Sequence, residues 1–216
     1  MIAEMPASGA VVVFGAVEGL LDEAVLRRLI AHVGGLPGAI YGKAGKAALL
    51  RRLESYNRAA VHSPWVVLVD LDQDAECAPP FRSAVLPQPA SGMCFRIAVH
   101  EVEAWLFADR ERLARFLAVP ISAIPSNPET VGTPKDTMAQ LALRSRRREI
   151  REDMAPRPSS GRRVGPAYTS RLIQFVSDES QGWQPEAAAI SCGSLARGLG
   201  CLRQLVAGGA HTAANK

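Results

Sequence analysis

"VVVFGAVEGLLDE" (residues 11–23) begins as an uninterrupted apolar run and ends with three carboxylates, Glu18, Asp22 and Glu23. A continuous apolar run of this length is typical of a strand that is buried on both faces of a parallel sheet. Such a strand has no need of acids at its end for its own packing. The carboxylates therefore require a separate explanation.

A second stretch repeats the pattern. "VVLVDLDQD" (residues 66–74) is an apolar run that ends in Asp70, Asp72 and Asp74. Two apolar runs that each end in a group of acids indicate one common role for both groups.

The segments around these two runs alternate between strand and helix patterns. The predicted strands cover 11–17, 39–41, 65–71 and 93–99, and the predicted helices cover 21–33, 45–60 and 101–117. This alternation predicts an α/β fold with a mostly parallel sheet flanked by helices. In open sheets of this kind, sites form at the carboxyl ends of the strands, which is where both acid groups lie.

The alternation of strand and helix patterns ends after residue 117, and prolines become frequent. We predict an α/β domain over 1–117, a proline-rich connector over 118–134 and a mainly helical C-terminal extension over 135–216 that packs on the domain. Helical patterns in the extension cover 135–151, 167–176 and 188–206. The glycines of the last of these would let helices pack closely, within the chain or between two copies in a homodimer.

Bulk composition excludes several classes of protein. Of the 216 residues, 48% are hydrophobic and 21% are charged, a globular balance rather than a disordered one. No apolar run approaches the ~20 residues of a membrane span, and the N-terminus lacks the features of a signal peptide. The four cysteines form no CxxC pair. We therefore expect a soluble cytoplasmic protein, with no membrane partner and with reduced, mostly buried cysteines.

The net charge of +4 is unevenly distributed. Residues 144–163 contain eight arginines and three acids, a local charge of +5, so the rest of the chain carries −1. This arginine-rich stretch is suited to contact a phosphate backbone. The alternative is a solvated surface on which the arginines form ion pairs with glutamates. The predicted nucleic-acid contacts are Lys43, Lys46, Arg144, Arg146, Arg147, Arg148, Arg162 and Arg163.

Crowded carboxylates repel one another, so burying them together is costly unless a cation is present. Mg²⁺ or Mn²⁺ would suit these oxygen ligands, and two such ions can promote phosphodiester cleavage. In an extended D-x-D, Asp70 and Asp72 point to the same side. Glu18 and Asp22 share a face once the helix begins. For Asp22 and Glu23 an alternative remains open: acids in the first turn complement the helix dipole.

Several other motifs can be tested by their spacing. An EF-hand would require glycine where Ala75 stands and glutamate where Phe81 stands, and a zincin motif would require a second histidine where Ala104 stands. The motif "DLDQD" is also typical of haloacid-dehalogenase-like phosphatases, with Asp70 as nucleophile and Asp72 as general acid. That interpretation leaves the acids of residues 18–23 unexplained.

An apolar strand ending in E-G-x-x-D (residues 18–22), followed 52 positions later by a strand ending in D-x-D (residues 70–72), resembles the Toprim domain. Topoisomerases, primases and the overcoming-lysogenization-defect nucleases share that domain. The resemblance covers residues 8–117. "EVEAWLFAD" (residues 101–109) is further similar to small stand-alone bacterial Toprim-like proteins of unassigned function.

The resemblance implies roles for particular residues. It implies that Glu18 is a metal ligand or general acid/base and that Asp70 and Asp72 bind Mg²⁺. The nucleases of this superfamily also use a lysine to stabilise charge in the transition state, and Lys135 is the best candidate for it, with a solvated lysine at a helix start as the alternative. The implied set of metal ligands is Glu18, Asp22, Asp70, Asp72, Asp74 and Glu103, the last preferred over Glu101.

The predicted function is therefore a Mg²⁺- or Mn²⁺-dependent nuclease acting on DNA or RNA. The resemblance also implies a partner ATPase subunit and a role in phage defence. Two alternatives remain open: a non-catalytic subunit that binds nucleic acid or a partner, and a metal-dependent phosphomonoesterase. Tyr168, Trp65, Trp105 and Trp183 are expected to be packing residues.

Overall fold

The fold is built on a parallel sheet of four strands. The computed structural model describes residues 10–72 and 77–214, with side chains to residue 209. The strands are β1 (Val12–Val17), β2 (Leu36–Gly42), β3 (Trp65–Asp70) and β4 (Met93–Ala98), in the spatial order β2-β1-β3-β4. All neighbouring pairs are parallel, which confirms the predicted α/β class with its parallel sheet flanked by helices.

The register of the sheet brings the strand ends together. Val17 pairs with Gly42, and Asp70 pairs with Ala98. Because β1 and β3 are direct neighbours, the residues that follow them, including Glu18, emerge at the same edge as the end of β4. This common edge is the place predicted for a site.

Helices cover both faces of the sheet. In chain order they are α1 (Leu20–His32), α2 (Lys46–Arg51), α3 (Leu53–Ala59), α4 (Ala78–Val85), α5 (Val102–Phe107), α6 (Arg110–Leu117), α7 (Pro134–Leu143), α8 (Arg148–Met154), α9 (Tyr168–Ser177), α10 (Pro185–Ala189) and α11 (Gly193–Ala214). Within the described parts of the chain, none of these helices combines the length and apolarity that crossing a bilayer requires.

The predictions of single helices over 45–60, 101–117 and 135–151 are wrong, because each of these segments is divided into two helices. Apolar spacing continues across each division, so periodicity alone does not reveal it. Polar side chains mark two of the divisions. Asp109, which precedes α6, accepts a hydrogen bond from the amide of Gln184 at 2.9 Å, and the Ser145 hydroxyl accepts from the amide of Arg147 at 3.0 Å.

Two cores lie on opposite faces of the sheet. One contains Leu49, Leu53 and Trp65 and packs under α2 and α3. The larger core begins at α1 with Leu26 and continues into α9 with Leu172, so the C-terminal helices share it with the sheet. The three tryptophans are 8% exposed or less, which confirms them as packing residues.

The prediction that all four cysteines are reduced is wrong. Cys94 on β4 and Cys201 on α11 form a disulfide, with their Cα atoms 6.1 Å apart. The sequence separation of 107 hides this pairing from any analysis of local spacing, and the pairing follows only from the packing of α11 on β4. Cys77 and Cys192 are free thiols.

Candidate functional site

Glu18 is the first acid to leave the sheet, directly after β1. Its Oε1 accepts a hydrogen bond from the backbone amide of Asp70 at 2.8 Å, which joins the ends of β1 and β3. Burial raises the pKa of Glu18 to about 7, although the Asp70 amide and Lys46 act in the opposite direction. A carboxyl group with this pKa exchanges its proton near neutral pH.

Asp22 lies in the first turn of α1 and is only 7% exposed. Burial raises its pKa, and the backbone amides of Gly19 and of Asp22 itself oppose this by less. The interaction with the helix start is therefore present but does not outweigh the cost of burying the charge. Gly19 allows this position, since a Cβ atom there would lie 2.9 Å from Asp22 Oδ2.

Asp70, the last residue of β3, is at the centre of the group. Burial raises the pKa of Asp70 well above its usual range, and four neighbouring carboxylates raise it further: Asp22, Glu103, Glu18 and Asp72. Its Oδ1 is buried and has no hydrogen-bond partner among the described residues. A buried, unpaired carboxylate oxygen surrounded by other acids is an electrostatically unfavourable arrangement for the protein alone.

Asp72 differs from the geometry assumed for D-x-D. Strand β3 ends at Asp70, and Asp72 has a left-handed backbone with φ +52°. Its amide donates to the carbonyl of His100 at 2.9 Å, and its Oδ2 accepts from Lys46 Nζ at 2.6 Å. Lys43 and His100, which follow β2 and β4, also have positive φ values of 68° and 64°. Unfavourable backbone conformations of this kind concentrate at functional sites.

Glu103 approaches the group from α5 and is 4% exposed. Burial raises its pKa to about 7, while Lys135 acts in the opposite direction. The hydroxyl of Tyr168 donates to Glu103 Oε1 at 3.2 Å, and burial raises the pKa of Tyr168 well above its usual range. Tyr168 is thus a packing residue with one polar function that the sequence did not predict. The neighbouring Glu101 instead accepts from the backbone amide of Lys135 at 2.8 Å.

We call Glu18, Asp22, Asp70, Asp72 and Glu103 the carboxylate centre. Among the described residues, no three His, Cys, Asp or Glu side chains already stand in an arrangement that could hold a metal ion. The predicted ligand Asp74 lies outside the described residues. The donors are nonetheless all carboxylate oxygens, one of them buried and unpaired, and this chemistry fits a hard divalent cation such as Mg²⁺ or Mn²⁺.

The predicted lysine contacts have separate environments. Lys46 Nζ pairs with Asp72 of the carboxylate centre at 2.6 Å. Lys43 Nζ pairs with Glu23 at 2.9 Å, so it compensates an acid outside the centre. Lys135 lies in the first turn of α7 and acts electrostatically on both Asp22 and Glu103.

The arginine-rich stretch does not form one patch. Arg163 forms a bidentate pair with Asp136 in the first turn of α7, at 2.9 and 2.6 Å, next to Lys135. The exposed Arg144 caps the other end of that helix, a distance of about 13 Å along its axis. The same end of α7 is followed by three further exposed arginines, Arg146, Arg147 and Arg148. Within the stretch, the ion pair with Asp136 places Arg163 beside Lys135, which acts electrostatically on the carboxylate centre.

We compared the chain with protein-family models, with curated proteins and with solved structures, and none of them matches it.

Proposed function

We propose that this protein is a Mg²⁺- or Mn²⁺-dependent phosphodiesterase with a Toprim-like centre that acts on nucleic acid. The observation that carries the proposal is Asp70, whose buried and unpaired Oδ1 is surrounded by four other carboxylates. A divalent cation would relieve the repulsion that the protein leaves uncompensated. The direct pairing of β1 with β3 supports the Toprim-like interpretation, since the two motifs end neighbouring strands.

The ligands of the cation would be Asp70, Asp72 and Glu18, with Asp22 and Glu103 completing the set. When bound, such a cation lowers the pKa of a water molecule and stabilises a leaving oxygen. Glu18 would act either as such a ligand or as the general acid/base, and its pKa of about 7 in the metal-free protein suits the second role. Tyr168 orients the Glu103 carboxylate through its hydroxyl.

Lys135 and Lys46 have different roles in this proposal. Lys46 is held on Asp72 and limits the charge of the centre before substrate binds. Lys135 lies between the centre and the ion pair of Asp136 with Arg163. A phosphodiester that approaches the centre from that side would meet positive charge from Lys135, Arg162 and Arg163, which contact phosphates without reading sequence.

The proposal is tested by calorimetric titration of Mn²⁺ into the wild-type protein and into the double variant Asp70→Asn/Asp72→Asn, together with cleavage of single- and double-stranded DNA and RNA. We expect Mn²⁺ binding to disappear in the variant and cleavage to fall by at least about 100-fold. Glu152→Gln is a matched control, because it neutralises an exposed acid that pairs with Arg148 at 2.7 Å.

Two outcomes would reject the proposal. Equal heats of Mn²⁺ binding in the wild type and the variant would show that the carboxylate centre is not the metal site, and the non-catalytic binding subunit would then be the better interpretation. Release of inorganic phosphate from a monoester, without cleavage of any polymer, would identify a phosphomonoesterase.

A further inference from the structure

Three arginines that the sequence did not single out meet beside the outer strand β4. Arg96 is on β4 itself, and burial lowers its pKa, with smaller contributions in the same direction from the charges of Arg82 and Arg197. Arg82 comes from α4 and donates its Nε–H to the carbonyl of Phe95 at 3.3 Å, directly next to Arg96 in the chain. Arg197 comes from α11. We call these three residues the arginine cluster.

The packing of α11 on β4, marked by the disulfide between Cys94 and Cys201, places Arg96 and Arg197 near each other. Arg96 is two residues after Cys94 on the same face of β4, about 6.6 Å along the strand. Arg197 is four residues before Cys201, one turn or about 6 Å along α11. Helix α11 runs opposite to the strands, since Gly209 near its end lies against Val11 and Pro64 at the start of the sheet. Both arginines are therefore displaced in the same direction from the disulfide.

The charge of the cluster is only partly compensated. Arginine cannot lose its proton in a protein, so the charges of Arg82 and Arg197 repel that of Arg96. Arg96 Nε is buried and has no hydrogen-bond partner among the described residues. The nearby acid Glu129 lies close to Arg197, but its carboxylate is also engaged by the amide of Ser194 at 2.7 Å. Arg197 is exposed and Arg82 and Arg96 are half-buried, so a ligand can reach the cluster from solvent.

We propose that Arg82, Arg96 and Arg197 form a binding site for a phosphoryl group, separate from the carboxylate centre. Guanidinium groups are the preferred partners of phosphate because their donors form parallel, charge-assisted hydrogen bonds. A phosphate dianion would neutralise two of the three charges and provide acceptors for the solvent-accessible donors of the three guanidinium groups. The sheet register puts Arg96 opposite Leu68, two residues before the pair of Ala98 with Asp70, so the site borders the carboxylate centre.

The test uses the metal-free protein in EDTA and measures the binding of inorganic phosphate by calorimetry at low ionic strength. We expect the wild type to bind phosphate and both Arg96→Met and Arg197→Met to bind it at least about tenfold more weakly. Methionine keeps most of the aliphatic length of arginine. Arg203→Met is the control, since it removes an exposed arginine of the same helix that pairs with Glu186 at 2.5 Å.

Arg197 is exposed, so its replacement leaves the core intact, and the thermal midpoint of each variant checks this directly. The proposal is overturned if the wild type gives no heat with phosphate or if Arg197→Met binds phosphate as the wild type does. Because the titration contains no metal, its result is independent of Mn²⁺ binding and of cleavage, which test the proposed function.

A second titration, with 5′-phosphorylated and 5′-hydroxyl oligonucleotides, identifies the source of the phosphoryl group. A preference for the 5′-phosphate that disappears in Arg197→Met assigns the site to a terminal phosphate. Equal binding of both oligonucleotides, weakened by the same variant, assigns it to a backbone phosphate. Binding of inorganic phosphate alone assigns it to the free ion.

Discussion

Glu18 and Glu103 are 85 residues apart in the chain, yet both act on the carboxyl group of Asp70. Arg144 and Arg163 are 19 residues apart, yet they lie at opposite ends of α7. A parallel sheet gathers residues from distant strand ends at one edge, whereas a helix separates residues that are close in sequence. Acids that are far apart in the sequence therefore form one group in the fold, whereas arginines that are close in the sequence do not.

The two regions also differ in how their charges are compensated. In the carboxylate centre, burial and mutual repulsion raise the pKa values of Glu18, Asp70 and Glu103. In the arginine-rich stretch, exposed side chains pair with nearby acids, as Arg148 does with Glu152 and Arg163 with Asp136. Of these two regions, the carboxylate centre is the one whose charges remain uncompensated in the protein alone and would be stabilised by a bound ligand.

The largest expected effect is on the pH dependence of stability. In the folded protein the pKa of Glu103 is about 7, above its ordinary value of 4.5, so the folded state binds this proton more tightly than the unfolded state. Its contribution is therefore fully present below pH 4.5 and is lost as the pH rises to about 7. Between pH 4.5 and 7 we expect ionisation of Glu103 to lower the free energy of unfolding of the wild type by ~3 kcal/mol. This decrease should be absent in Glu103→Gln, as measured by urea unfolding in EDTA.

Glutamine at position 103 can still accept the hydrogen bond from Tyr168, so the variant changes charge rather than packing. Parallel stability curves for the wild type and Glu103→Gln between pH 4.5 and 7.5 would show that Glu103 is not a strained charge. Addition of Mn²⁺ at pH 7.5 should stabilise the wild type more than the variant, because a cation compensates the ionised carboxylate.

A second prediction concerns Gly19, which allows the close approach of Asp22. In Gly19→Ala the new Cβ would lie 2.9 Å from Asp22 Oδ2, so the Asp22 carboxylate must move. We expect Mn²⁺ to bind about tenfold more weakly, equivalent to ~1.4 kcal/mol, by calorimetry. Gly132→Ala is the matched control, since a Cβ there meets nothing within 4 Å. Unchanged affinity in Gly19→Ala would remove Asp22 from the set of metal ligands.

The third prediction separates the charge of Asp72 from its backbone conformation. Both Asp72→Asn and Asp72→Ala remove the ion pair with Lys46, but asparagine adopts the left-handed conformation at φ +52° at a lower free-energy cost than alanine does. We expect the alanine variant to be less stable than the asparagine variant by ~1 kcal/mol in urea unfolding. Equal stabilities would mean that the loop after β3 adopts another conformation when Asp72 is replaced.

The sequence predicted the strands because buried parallel strands are nearly continuous apolar runs, as in β1 and β3. It also predicted that Glu18 and Asp70 would meet, since parallel strands end at one edge. It did not predict the helix divisions near Asp109 and Ser145. At the first division the Asp109 carboxylate accepts a hydrogen bond from the distant Gln184 amide, and at the second the Ser145 hydroxyl accepts one from the Arg147 amide.

Other features depend on packing that no local pattern records. We expected an extended D-x-D from the sequence, but strand β3 ends before Asp72. The amide of Asp72 instead donates a hydrogen bond to the carbonyl of His100, which follows β4. The arginine cluster was missed for a similar reason. Arg82, Arg96 and Arg197 come from three distant segments, and the packing of α11 on β4, which also forms the disulfide, brings Arg197 near Arg96.

The smallest predicted effect compares two arginines of the same stretch. Arg163 lies beside Lys135 at the start of α7, and Arg148 lies beyond its other end, more than about 13 Å away along the axis. A four-nucleotide single strand spans roughly 10 Å at the rise of a duplex strand, so one bound at the carboxylate centre reaches the first arginine only. We expect Arg163→Ala to reduce the slope of log K against log salt by about 0.7, and Arg148→Ala to leave it unchanged.

The slopes are measured by fluorescence anisotropy in EDTA, which prevents metal-dependent cleavage during the titration. Equal reductions for the two variants would mean that the strand follows the whole length of α7, and the arginine-rich stretch would then act as one surface despite its division in the fold. A reduction for Arg163→Ala alone would locate the path of the nucleic acid at the end of α7 that carries Lys135. The arginines of residues 144–163 that lie beyond the other end of α7 would then have no part in binding the nucleic acid.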